Sequence, residues 1–142
     1  MIFIVSSCLI SCHRSEKVDL VGTWRWISTT GGIAGVYYTP VSENMEVTLV
    51  FTNGMFHFYK NGEEVAFGRY TLYHDESVIS GNDSQLWMHI PEKKSIQMLE
   101  ATEGKITIPS KCVVSFIDHD GVIWLGLGES VCDGFGYSFE KL

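Results

Sequence analysis

Five histidines, four cysteines and seventeen carboxylates are the side chains of this sequence that could do chemistry. Their spacing decides which chemistry is open to them. Zinc needs ligands at short, repeated spacings, and His74 and His89 have no His or Cys placed that way. His57 falls on the polar face of an alternating segment, His119 beside a turn signal and His13 in a polar stretch, all solvent positions. Asp118, Asp120 and Asp133 lie in short turn-rich stretches, where a carboxylate serves the turn rather than calcium. Glu63-Glu64 fits a solvated edge. No Gly-x-Ser-x-Gly elbow, phosphate loop or dinucleotide fingerprint occurs. Gly31-Gly32-Ile33-Ala34-Gly35 is glycine-rich, but no strand–helix unit surrounds it, so a mobile loop is expected there. With no nucleophile–base pair, the sequence predicts no enzyme, no catalytic residue, no metal site and no cofactor.

The cysteines say more. Met1 to Ser11 reads MIFIVSSCLIS without one charged side chain. A bilayer span takes roughly twenty apolar residues, so this run suits the hydrophobic region of a signal peptide instead. It ends Leu9-Ile10-Ser11-Cys12, the order of a bacterial lipobox: aliphatic, branched or small, small, then Cys. The chemistry requires that Cys, because its thiol takes a diacylglycerol before cleavage and its freed amine then takes a fatty acid such as palmitate. Val5-Ser6-Ser7-Cys8 has the same order, but only five residues precede Ser6. Charge switches on directly afterwards with His13-Arg14-Ser15-Glu16-Lys17. The expected layout is a lipoprotein-type signal peptide over 1–11, a lipidated Cys12 and tether over 12–19, and one domain over 20–142. Several acyl chains on Cys12 give stable attachment to a membrane where one chain is marginal. His13 rather than Asp follows Cys12, which by analogy with known sorting rules points to the outer membrane. Which side of that membrane the protein faces stays open. Cys112 and Cys132 remain as an even pair in an oxidising compartment. A structural disulfide is expected, with two buried free thiols as the alternative.

The elements that must position these residues are strands. Apolar residues make up 45%, aromatics 13% and charged residues 19%, a globular composition. Net charge is −7 and no basic run occurs, so a nucleic-acid partner is excluded. Fourteen Gly with 4 Trp, 6 Tyr and 8 Phe indicate short strands and tight turns. Asn53-Gly54 and Asn61-Gly62 are two-residue hairpin signals, because type I′ turns need positive φ at both central positions. The first turn pairs Phe51 with Phe56 and Leu49 with Phe58; the second pairs Phe58 with Val65 and Phe56 with Phe67. Leu49, Phe51, Phe56, Phe58, Val65 and Phe67 then share one face, as barrel interior or ligand lining. Thr48, Val50, His57 and Tyr59 share the other. The apolar parity changes to Tyr70 and Leu72 afterwards, which places a bulge at Gly68-Arg69. Leu86, Met88 and Ile90 alternate, as do Ile96 and Met98, then Ile106 and Ile108. Asp120-Gly121 sets Phe116 opposite Leu125 and Val114 opposite Leu127. No window shows a helical stripe over three turns. The reading is all-β: an antiparallel up-and-down meander of 8–10 strands closed into a barrel, with a two-sheet sandwich as competitor.

Asp19-Leu20-Val21-Gly22-Thr23-Trp24 resembles the lipocalin entry motif, Gly-x-Trp at the start of the first strand. The run from Gly22 to Gly35 with Thr39-Pro40, and Cys132-Asp133-Gly134 leading to Tyr137-Ser138-Phe139, are similar to small lipocalin-like lipoproteins of Gram-negative bacteria. The likeness implies that Gly22 and Trp24 close one barrel end and that Lys141 stands in for the basic residue packed on the entry Trp. The Thr-Asp-Tyr motif of the larger lipocalins is missing. The resemblance implies a lipocalin-like barrel and a generic binding role, with no substrate named. Two functions therefore stay open. One is a membrane-anchored envelope protein that binds a small apolar ligand, such as a fatty acid, at the barrel mouth. The other is a barrel packed solid by its own phenylalanines, acting as a structural or interaction module on an envelope protein.

Overall fold

The computed structural model describes residues 19–75, 85–129 and 134–142. Ten strands and two helices follow one another: β1 (Gly22–Gly31), β2 (Val36–Tyr38), α1 (Pro40–Glu43), β3 (Val47–Phe51), β4 (Met55–Lys60) and β5 (Glu63–Arg69). Then come β6 (Thr71–Asp75), β7 (Gln85–His89), α2 (Glu92–Ala101), β8 (Lys111–His119), β9 (Val122–Gly128) and β10 (Phe135–Lys141). Every pairing is antiparallel, in the order β5-β4-β3-β1-β10-β9-β8-β7-β6, with β2 added to β1. The first and last long strands pair from Trp24–Lys141 to Gly31–Phe135 and bend the sheet into a nearly closed barrel. Its seam lies between β5 and β6. The chain crosses it at Tyr70, whose N–H donates to Gly54 O and whose hydroxyl donates to Thr52 O at 2.7 Å.

Turn chemistry sets the register. Asn61-Gly62 (φ 51° and 86°) and Asp120-Gly121 (φ 56° and 87°) take left-handed values at both positions, as a type I′ hairpin requires. At Asn53-Gly54 only Gly54 does, so that turn is of another type, yet Phe51–Phe56 and Leu49–Phe58 pair as expected. Phe116–Leu125 and Val114–Leu127 pair as well.

The β4–β5 register departs from expectation. Lys60–Glu63 and Tyr59–Glu64 pair, then the register shifts and Phe58 faces Ala66, Phe56 faces Gly68. The extra residue is Val65, so the bulge comes before Gly68-Arg69. Val65 is half-buried against the core, while Phe67 is turned outward and 51% exposed, which corrects its assignment to the interior. The cause is volume. A Cβ on Gly68 would already lie 3.1 Å from the Phe56 ring, so a second Phe has no room opposite it.

A second departure is α2. Residues 92–101, expected to be a strand around Ile96 and Met98, form a helix against β5. Its inner face runs Ser95, Met98, Leu99, Thr102 at helical spacing, and two of these are polar. Ile96 meanwhile points out, 46% exposed. The polar pair is satisfied inside: the Ser95 and Thr107 hydroxyls lie 2.9 Å apart, and Thr102 Oγ1 accepts from Ile106 N at 3.0 Å. Ile106 and Ile108, expected in a strand, are buried in the irregular segment that returns the chain to β8. The helix α1 is capped by Thr39, whose Oγ1 accepts from Ser42 N while Ser42 Oγ accepts from Thr39 N.

The interior is filled by side chains. Trp24, Trp26, Leu49, Phe51, Phe56, Phe58, Met88, Met98, Leu125, Leu127 and Phe139 are at most 1% exposed. Along β1 a bulge between Trp26 and Ser28 switches the inward parity, so that Thr29 points in and its Oγ1 accepts from Trp26 Nε1 at 3.0 Å.

Candidate functional site

Chain entry into the barrel fixes the site. Asp19 Oδ1 accepts from Val21 N and turns the chain, and Leu20 tucks in with 4% exposure. Trp24 follows four residues later and donates its indole N–H to Leu20 O at 2.9 Å. Lys141 Nζ lies 4.9 Å from the centre of the Trp24 ring and donates to Asp19 O and Val21 O. Gly22 lets the lysine in: its φ is +146°, and a Cβ there would stand 3.1 Å from Lys141 Cε.

Beside this entry the barrel mouth opens as a depression of about 470 Å³. Leu20, Tyr70, Leu72, Leu86 and Phe116 form its apolar wall, with Asp19 and Asn53 on the rim. Phe116 lies 6.1 Å from Trp24, and Tyr70 meets Phe51 edge-on at 5.1 Å, so floor and core are continuous. Burial holds the Tyr70 phenol above its ordinary value, which keeps the proton it donates to Thr52. The volume falls in the range of small-molecule sites, roughly 300–1,000 Å³. A rim carboxylate and a wall of mixed polarity suit a small molecule with an apolar body and a polar end.

The opposite end carries a polar cleft of about 220 Å³ among Glu43, Lys60, Thr102 and Lys105. Its cations are engaged: Lys105 meets Glu43 at 3.4 Å, and Lys60 Nζ donates to the backbone carbonyl of Ala101.

Of the residues singled out by sequence, Gly22 and Trp24 lie at the entry, while Leu49, Phe51, Phe56 and Phe58 are core and border the depression only through the Phe51–Tyr70 contact. Phe67 stacks on His57 outside the barrel, with Lys94 5.2 Å from its ring. His57 stands opposite Val50 and pairs with Glu64 at 2.7 Å. Among the described residues no group of three or more His, Cys, Asp or Glu could hold a metal. The expected Cys112–Cys132 bridge has only its first cysteine among the described residues. Cys112 is a free thiol facing the core, and burial pushes it up to about 12. Cys132, like Cys12 and the signal segment, lies outside the described residues. Leu20, Leu72, Leu86 and Phe116 were legible as strand or boundary residues, but their meeting depends on barrel closure, which local turn signals do not encode.

No family model, curated protein or solved structure matches the chain.

Proposed function

We propose that this protein is a lipid-anchored, lipocalin-like barrel of the cell envelope, attached through Cys12, that binds a small apolar ligand in the entry-end depression. The observation that carries the reading is the entry-end depression itself, about 470 Å³, where Leu20, Tyr70, Leu72, Leu86 and Phe116 meet. The lysine stacked on the entry Trp supports the lipocalin-like part, and the Leu9-Ile10-Ser11-Cys12 order supports the anchor. His13 after Cys12 favours the outer membrane. No residue is assigned a catalytic role. A second reading, a ligand-free module docking onto an envelope protein, is favoured by the interior, which eleven large side chains, each at most 1% exposed, fill among the described residues.

Titration with the apolar fluorophore N-phenyl-1-naphthylamine separates the two. Leu72 is 40% exposed on the depression wall, so Leu72→Asp should fold normally. The first reading expects saturable binding that weakens about tenfold in Leu72→Asp, the ~1.4 kcal/mol scale of one lost apolar wall contact. Binding absent in both proteins favours the module. The anchor is tested apart from this: Cys12→Ser should leave the membrane fraction and lose labelling by radioactive palmitate, and a variant still bound and labelled would overturn it.

A further inference from the structure

The entry end carries a second apolar feature on the outside of the barrel. On β8, Val114 points inward and Phe116 packs against the core, so Ile117 points out. On β9, Leu125 and Leu127 point inward, so Val122 and Trp124 point out. Register joins them: Ile117 pairs with Trp124, Val122 with His119, and Glu140 with Trp124. Leu142 continues β10 past Lys141, its N–H donating to Thr23 O beside the entry glycine. Ile117, Val122 and Leu142 are 56%, 39% and 62% exposed, and Trp124 is partly exposed. An apolar cluster including a Trp and bounded by carboxylates is unusual on a water-facing sheet.

We infer that the Ile117–Val122–Trp124–Leu142 patch is the face this protein lays on the bilayer that holds Cys12. The inference rests on the proposed anchor. Asp19 lies seven residues after Cys12. A chain spans at most about 3.3–3.6 Å per residue, so Asp19 stays within roughly 25 Å of the lipidated Cys. The entry is thus the part of the domain held closest to the lipid, and the patch adjoins it through the Leu142–Thr23 bond. Trp is the side chain best suited to an interface that is apolar on one side and wet on the other. Asp118 and Asp120 stand at the turn beside the patch, and the whole chain carries −7. Such a face fits a zwitterionic surface, whose ammonium headgroups meet the carboxylates, better than an anionic one.

The test uses full-length acylated protein, its acyl groups on Cys12 checked by mass spectrometry, in phosphatidylcholine–phosphatidylethanolamine vesicles containing lipid brominated high on its acyl chains. Interfacial side chains sit ~5–10 Å into the headgroup–acyl boundary, within reach of these bromines, so the Trp124 emission should fall about twofold. Trp124→Phe should remove the quenched component. An Ile117→Glu, Leu142→Glu double variant should abolish quenching while keeping its acyl groups and its circular dichroism. Acylated wild-type protein without quenching overturns this inference and leaves the anchor standing. Cys12 without acyl groups overturns both.

Discussion

Lys141 holds the entry by charge as well as by packing. Its ammonium lies over the Trp24 ring and donates to the carbonyls of Asp19 and Val21, so three backbone or ring groups depend on one cation. Lys141→Met keeps the apolar stem and removes the charge. Urea denaturation should show a loss of about 1–2 kcal/mol, from a cation–π contact plus charge-assisted hydrogen bonds. A loss within the ~0.5 kcal/mol of ordinary surface substitutions would mean that the stem alone holds the Trp. Cys112 gives a second residue-scale prediction. Its thiol is raised by burial to about 12 when folded and titrates near 9.0 when unfolded. Above pH 9 the unfolded chain therefore binds fewer protons than the folded one, and stability falls as pH rises from about 9 to about 12. The slope from this group is at most ~1.4 kcal/mol per pH unit, and below pH 9 its contribution is constant. Burial raises Tyr137 as well, which adds to the same alkaline loss. Urea melts at about pH 8 and pH 10.5 should show a smaller drop for Cys112→Val than for wild type. Equal drops would remove the thiol as a source.

At the scale of elements, legibility followed turn chemistry. Asn61-Gly62 and Asp120-Gly121 demand left-handed backbone at two successive positions, which few structures other than a tight hairpin supply; the second keeps all its implied pairings, while the first keeps Lys60–Glu63 and loses Phe58–Val65 and Phe56–Phe67 to the bulge. The bulge at Val65 was not legible because its cause is three-dimensional: the Phe56 ring needs Gly68 opposite it. The helix α2 was hidden for a different reason. Its buried stripe spends two positions on Ser95 and Thr102, whose hydroxyls are satisfied by Thr107 in the first case and by the Met98 and Ile106 backbone in the second. The bulge can be tested directly. Ala66→Glu would bury an unpaired carboxylate and should cost about 3–5 kcal/mol, enough to unfold a marginal domain. Phe67→Glu, outside and near Lys94, should cost no more than about 1 kcal/mol. The reverse order of stabilities would put the bulge at Gly68-Arg69 and Phe67 back in the interior.

At the scale of the whole molecule, the barrel is closed by its two ends. β1 pairs with β10 across more than a hundred residues, a partnership that the resemblance suggested through Trp24 and Lys141 but that no turn signal encodes. The candidate site inherits this. Leu20, Tyr70, Leu72, Leu86 and Phe116 come from separate stretches of chain and meet only because closure brings β6, β7 and β8 round to the entry. Sequence thus supplied the fold class and the entry motif, while the depression needed the assembled barrel. The proposed ligand site of this filled barrel is the entry-end depression. Native mass spectrometry of the protein released from membranes in mild detergent tests it most directly. A population carrying one additional small-molecule mass is expected, absent from Leu72→Asp and retained in Phe67→Ser on the outside of the barrel. Unliganded protein alone, or a bound mass that survives Leu72→Asp unchanged, would contradict it.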